Sequence, residues 1–247
     1  MKTVNVIKAL LIVSLVALIS SCSKDNENLK NKTAIKFQST YQTAKTANLK
    51  STLADGLVLE SFKIYIAEIE IEFDESDPMF ANDSVATDYE LKGPFEIDLM
   101  ADGNVLEAVI VSNVNLPAAA YDEIEFEFDK NKNPDSEMYR KTIVITGTID
   151  GTPFTFWTDE EIELEIEFEE LVYLDDVSAA MLTVSFDLDA LFNPASGGID
   201  ITSAIDGNGD GKIDIHHDDT DGNSDLADSI LDKIESIIEA FEDKYDN

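Results

Sequence analysis

Glu161-Ile162-Glu163-Leu164-Glu165-Ile166-Glu167-Phe168-Glu169 alternates acid and apolar residue without a fault. A strand sends successive side chains to opposite faces, so this stretch predicts a strand with one apolar face buried and one acidic face in water. The pattern recurs where Ile124, Phe126 and Phe128 alternate with Glu123, Glu125, Glu127 and Asp129. It recurs again where Ile64, Ile66, Ile69, Ile71 and Phe73 oppose Glu68, Glu70 and Glu72. In that run the parity slips between Ile66 and Ile69, which predicts a bulge or a break between two short strands. Further strands are predicted at 95–99, 105–114, 143–149, 153–157 and 181–189. Turn formers separate them at Asp102-Gly103-Asn104, from Lys130 to Pro134, and at Asp150-Gly151, the last as a tight hairpin. Many short strands with no amphipathic helix between them predict a mainly β chain, an antiparallel β-sandwich over residues 35–192.

The remainder, 193–247, reads differently. Residues 193–198 form a loop, 199–205 a short link, and 206–225 a run of aspartate, glycine and asparagine. Beyond it Leu226, Ile230, Ile234, Ile237, Phe241 and Tyr245 recur at spacings of three and four, the single apolar stripe of an amphipathic helix. Asn223 or Ser224 can cap it, Asp225 and Asp228 suit its positive end, and Lys244 suits the other end. At about 1.5 Å per residue such a helix spans roughly 30 Å, enough to lie across one side of the sandwich.

Asp206-Gly207-Asn208-Gly209-Asp210-Gly211-Lys212-Ile213-Asp214 places side-chain oxygens at positions 1, 3, 5 and 9, glycine at 6 and an aliphatic residue at 8. That is the spacing by which a loop gathers hard oxygen ligands around calcium, with the Lys212 carbonyl supplying position 7. The stretch resembles EF-hand and dockerin-type loops, and it departs from them at position 12, where His217 stands. Asp218 or Asp219 must then substitute for the missing acid. A second alternation, Asp219-Thr220-Asp221-Gly222-Asn223-Ser224-Asp225, would complete the first site or hold a second ion. Calcium is the cofactor expected here. His216 and His217 are the only histidines and read as a solvated pair, since a soft metal wants more nitrogen or sulfur ligands.

At the other end a short basic start with Lys2 and Lys8, an apolar run from Ala9 to Ile19 and the sequence Ile19-Ser20-Ser21-Cys22 describe a signal peptide over 1–21. Cys22, the only cysteine, resembles the acylated residue of the bacterial lipobox, and residues 22–34 read as a polar, flexible tether. Ser23-Lys24-Asp25-Asn26-Glu27 resembles the acidic export tag of Bacteroidetes lipoproteins displayed on the outer membrane. The expectation is an exported outer-membrane lipoprotein shown at the cell surface, its membrane partner reached through the lipid. With the cysteine so committed, no intramolecular disulfide is available.

The net charge of −35 becomes −37 once Lys2 and Lys8 leave with the signal peptide. Such a chain repels nucleic acid, and the partners left open are a protein or glycan ligand. Same-face acids on neighbouring strands repel unless salt or divalent ions screen them, and screening acts over about 8 Å at 0.15 M salt. No catalytic residue is expected: no nucleophile elbow, zinc-protease helix, phosphate loop or dinucleotide fingerprint is present. Trp157 is expected in the core.

The body resembles uncharacterised Bacteroidetes lipoproteins with a prealbumin-like sandwich. The residues that carry the likeness are Ser61 to Ile71, Phe95-Glu96-Ile97-Asp98-Leu99, Leu116-Pro117-Ala118-Ala119-Ala120-Tyr121-Asp122-Glu123-Ile124 and Val184-Ser185-Phe186-Asp187-Leu188-Asp189. The resemblance implies an envelope location and no established activity. The function expected is therefore a non-enzymatic binding or structural module braced by calcium. The alternative is an accessory lipoprotein that captures a ligand or glycan beside an outer-membrane transporter.

Overall fold

The computed structural model describes residues 33–40, 54–74, 88–114, 120–173 and 181–245. The signal segment, Cys22 and the tether up to residue 32 lie outside the described residues. The chain is mainly β. In chain order its strands are β1 (Thr33–Thr40), β2 (Leu57–Phe73), β3 (Asp88–Ala101), β4 (Asn104–Val105), β5 (Glu107–Val114) and β6 (Ala120–Phe128). They continue with β7 (Ile143–Ile149), β8 (Thr152–Thr158), β9 (Ile162–Tyr173), β10 (Met181–Asp187) and β11 (Ile213–Ile215). Two α-helices, α1 (Leu188–Phe192) and α2 (Ser224–Tyr245), and two single-turn 3-10 helices at Pro194–Ser196 and Ile201–Ser203 complete the described elements.

The long strand β2 is the spine of the large sheet. β3 follows one of its edges. The other edge is shared, by β7 alongside Leu57 to Ile64 and by β6 alongside Glu68 to Phe73. β8 extends the sheet beyond β7, β9 beyond β6, and β11 adds to β8. A small sheet in the order β10-β1-β5 packs onto the large one. Phe37 of β1 meets Phe126 edge-on at 5.0 Å between centroids, and Phe186 of β10 meets Phe62 and Phe128 at 5.6 and 6.4 Å. The architecture is thus sandwich-like, with two parallel pairings inside it: β1 with β10 and β11 with β8. Both join segments far apart in sequence, a pairing that local alternation does not encode.

The parity slip in β2 is a bulge. The strand runs on through it while the register against β3 shifts between Ile66 and Glu68. Level with that point β6 gives way to β7 through residues 129–142, and β8 to β9 through 159–161. One line of interruptions therefore crosses the sheet and divides it into halves with different outer faces. Over the β7–β8 half, 129–142 folds back as a cover: Met138 is fully buried against Tyr65 and Val144, with Ala67 and Trp157 at the rim. The β6–β9 half carries the glutamates and has no such cover among the described residues.

Turn chemistry fixes the ends. At both Asp102-Gly103 and Asp150-Gly151 the two residues have positive φ, 50° and 70° at the first, 50° and 81° at the second. That is the backbone that suits a two-residue hairpin to the strand twist. β10 ends two residues short of the predicted 189, because the Asp187 carboxylate accepts the N–H of Asp189 and of Ala190 and so starts α1. No helix among the described residues is long and apolar enough to cross a membrane.

The tail is built into the body. Ile201, Ala204, Ile213, Ile215, Ala227, Ile230 and Ile234 belong to the same buried cluster as Ile64 and Phe126. Ile230 is fully buried and Ile234 is 9% exposed, as the stripe predicts. The side chains of Ile237, Phe241 and Tyr245 lie outside the described residues. Replacing Ile230 by alanine should destabilise the whole domain by about 2–5 kcal/mol, the usual cost of a large-to-small change in a packed core. Urea unfolding followed by Trp157 fluorescence measures it. An unmoved midpoint would mean that α2 is an independent appendage.

Candidate cation-binding loop

Asp206 to Asn223 is positioned at three points. Ile213 and Ile215 are buried, and β11 pairs in parallel with Phe154, Thr155 and Phe156 of β8. Asn223, 5% exposed, ties the ends together. Its amide donates to the carbonyls of Ile205 and Asp214, both at 2.8 Å, and its Oδ1 accepts the Ile205 N–H at 3.0 Å. Its backbone carbonyl accepts the N–H groups of Leu226 and Ala227, so the same residue opens α2. Asn223 caps the helix through its main chain while its side chain braces the loop.

Within the loop, Asp206 accepts three backbone N–H groups: Gly209 at 2.7 Å, Asp210 at 3.1 Å and Gly211 at 2.9 Å. Gly209 and Gly211 sit at φ +77° and +89°, a backbone region that glycine enters without strain. Asn208 Oδ1 accepts the Asp210 N–H and Asp210 Oδ1 accepts that of Lys212, each at 2.9 Å. A Cβ on Gly207 would collide with the backbone of Asp221, so the loop closes only with glycine there. Asp206, Asn208 and Asp210 thus share one tight turn, and Asp214 follows it on β11. The donor set is oxygen alone, which fits a hard cation of the calcium type.

Asp219 and Asp221 occupy other roles. Asp221, 3% exposed, accepts the N–H of Asn208 at 3.1 Å and of Asp214 at 2.8 Å, binding the first turn to β11. Asp219 Oδ1 accepts the N–H groups of Asp221, Gly222 and Asn223 and closes the turn before α2. Asp218 is exposed and stands 3.2 Å from His217 Nε2. No three carboxylates of this loop bring oxygens within 4.8 Å of one another; among the described residues that occurs at Glu123, Glu165 and Glu167.

His216 stacks on Trp157, with ring centroids 4.4 Å apart and an interplanar angle of 28°, and the Lys141 ammonium lies 5.9 Å from the centre of the indole. Trp157 is therefore on the outer face and not in the core. The cause is the period of two itself: Phe154, Phe156 and Thr158 point inward, so Trp157 points out. His216 is the indole's partner and not one of a solvated pair.

The acidic face shows the register of its charges. Glu68 stands opposite Glu127, Glu70 opposite Glu125 and Glu72 opposite Glu123. Across the next pairing Glu127 faces Glu163, Glu125 faces Glu165 and Glu123 faces Glu167. On the β3 side Glu68, Glu70 and Glu72 face Lys92, Glu90 and Asp88. Partial burial, then the adjacent Asp88, pushes Glu70 up to about 6, and partial burial followed by Glu165 pushes Glu123 up to about 8. Glu90 is held below the usual carboxylate range by Lys92, 2.9 Å away.

Replacing Asp221 by alanine strands two backbone donors beneath the loop and should cost about 1–3 kcal/mol in calcium-free urea unfolding. Asp218→Ala on the exposed rim should stay within about 0.5 kcal/mol. Equal losses would mean that Asp221 does not bind the turn to β11. No protein-family model, curated protein or solved structure matches the chain.

Proposed function

We propose that the chain is a lipid-anchored, non-enzymatic module of the cell envelope that binds or braces, and that its C-terminal loop takes calcium. One observation supports the reading: Asp206, Asn208 and Asp210 lie on one hydrogen-bonded turn that leads directly into β11, where Asp214 stands. Asp206, Asn208, Asp210, Asp214 and the Lys212 carbonyl would hold the ion. Bound there, calcium offsets the mutual repulsion of the acids. The loop's brace through Asn223 to α2 then passes that gain to the core side chains Ile230 and Ile234. A ligand that binds only the folded state stabilises it by RT ln(1 + [L]/Kd), about 2.7 kcal/mol at a hundredfold excess over Kd.

The lipobox at Cys22 supports anchoring, and the acidic stretch after it supports surface display. A net charge of −35 favours a basic protein or a neutral glycan over nucleic acid as partner.

Two measurements test the proposal. Calorimetry of the mature chain should show calcium raising the unfolding temperature, and Asp206→Ala combined with Asp210→Ala should remove that rise while the sandwich stays folded. An equal rise in the double variant moves the ion elsewhere. Cys22→Ser should release the protein from the membrane fraction; retention there rules out the lipid anchor.

A further inference from the structure

We propose that the acid-faced half of the large sheet is a proton-operated clasp: β2 is held to β3, and β6 to β9, by carboxyl pairs that share protons, and the clasp slackens as those protons leave. The register carries this. Glu70 and Asp88 are diagonal neighbours across β2 and β3, Glu123 and Glu165 across β6 and β9, and Glu123, Glu165 and Glu167 bring carboxylate oxygens within 4.8 Å of one another. Two carboxyl oxygens form a hydrogen bond only when a proton lies between them; without it they are like charges in contact.

The groups that face these pairs come from four strands. Glu72, Glu125 and Glu167 surround the Glu123 pair, and Glu68, Glu90 and Glu125 surround the Glu70 pair. Glu127 and Glu163 continue the outer row. The cation on this face among the described residues is Lys92, 2.9 Å from Glu90 and 3.6 Å from Glu68, so compensation sits at one corner. Behind the carboxyls Ile71, Ile124, Phe126 and Ile166 are buried. Their backing lowers the local dielectric, and charge there is dearer than in water.

Glu70 and Glu123 are raised to about 6 and about 8, so the folded state holds their protons more tightly than the unfolded chain, where a glutamate titrates near 4.5. Their stabilisation is complete below about 4.5 and is lost as pH rises, first through about 6 and then through about 8. Glu90 and Asp129 are lowered, and their stabilisation is lost on the acid side. Maximum stability therefore falls at mildly acid pH. Each proton retained by the folded state raises the unfolding constant up to about tenfold per pH unit.

The test is chemical denaturation of the full chain in EDTA, from about pH 5 to about pH 8.5, with amide exchange on β6 and β9. Stability should fall with rising pH, and exchange of those strands should quicken before that of β7 and β8. Glu123→Gln, which keeps a donor at every pH, should raise stability at the alkaline end and remove most of the slope. Glu70→Gln repeats the test at the second pair. Glu160→Gln with Asp232→Asn removes two charges elsewhere and should leave the slope unchanged. The proposal is overturned by stability that is flat or rises with pH, by a control that flattens the slope as fully as Glu123→Gln, or by exchange that quickens everywhere at once.

Discussion

Burial of one face of β2 is the constraint on which the other elements depend. Leu57 and Leu59, then Phe62, Ile64 and Ile66, then Ile69, Ile71 and Phe73 are buried, a series that changes parity twice along one strand. Without adjustment a parity change would turn every later apolar side chain into water. The strand absorbs each change in a register shift, between Leu59 and Ser61 against β7 and between Ile66 and Glu68 against β3. The second shift coincides with the breaks between β6 and β7 and between β8 and β9, so one irregularity organises the width of the sheet. Each inserted residue bends the strand locally; β3 runs on past the second bend, and on the opposite edge β7 gives way to β6 there.

That bend separates two ways of finishing the outer face. On one side a loop supplies a second small core, with Asn131 and Ser136 donating to Glu96 and Lys63 paired with Asp98 and Glu137. On the other side the face is left to charge. Like-charge rows weaken the pairing of β2, β6 and β9, and the same rows make the β9 edge a poor template for another chain. Twelve residues of β9, paired on one side by β6, would otherwise invite sheet-to-sheet association. The large apolar burial behind the glutamates is what lets the fold carry that repulsion.

Much of this was legible in the residues, and the parts that were not have physical reasons. Strict alternation located β6 and β9 and most of β2, Asp150-Gly151 located one hairpin and Asp102-Gly103-Asn104 a turn, and the three-and-four stripe located α2. β1 and β11 escaped because each pairs with partners distant in sequence, and β11 has only three residues. The cover over Tyr65 escaped because Met138 lies alone among polar neighbours and its burial depends on the face beneath it. In the loop, residue types and spacing pointed to the oxygen-rich turn. They could not separate acids facing solvent from Asp219 and Asp221, since a carboxylate that accepts backbone N–H groups and one that awaits a cation look the same in sequence.

That separation explains how the loop keeps its shape with so much charge. Asp221 and Asn223 are buried, and both are satisfied by main-chain groups: Asp221 accepts two N–H groups, while Asn223 accepts one and donates two. A buried carboxylate is tolerable when it takes the place of water for donors that would otherwise be stranded. Position 223 needs donors as well as an acceptor, which an aspartate cannot supply, and the sequence has the amide there. Asn208 and Asp210 remain exposed at the rim. The scaffold of the turn is therefore set by buried polar groups bonded to the backbone, and the charge of Asp210 is left at the surface.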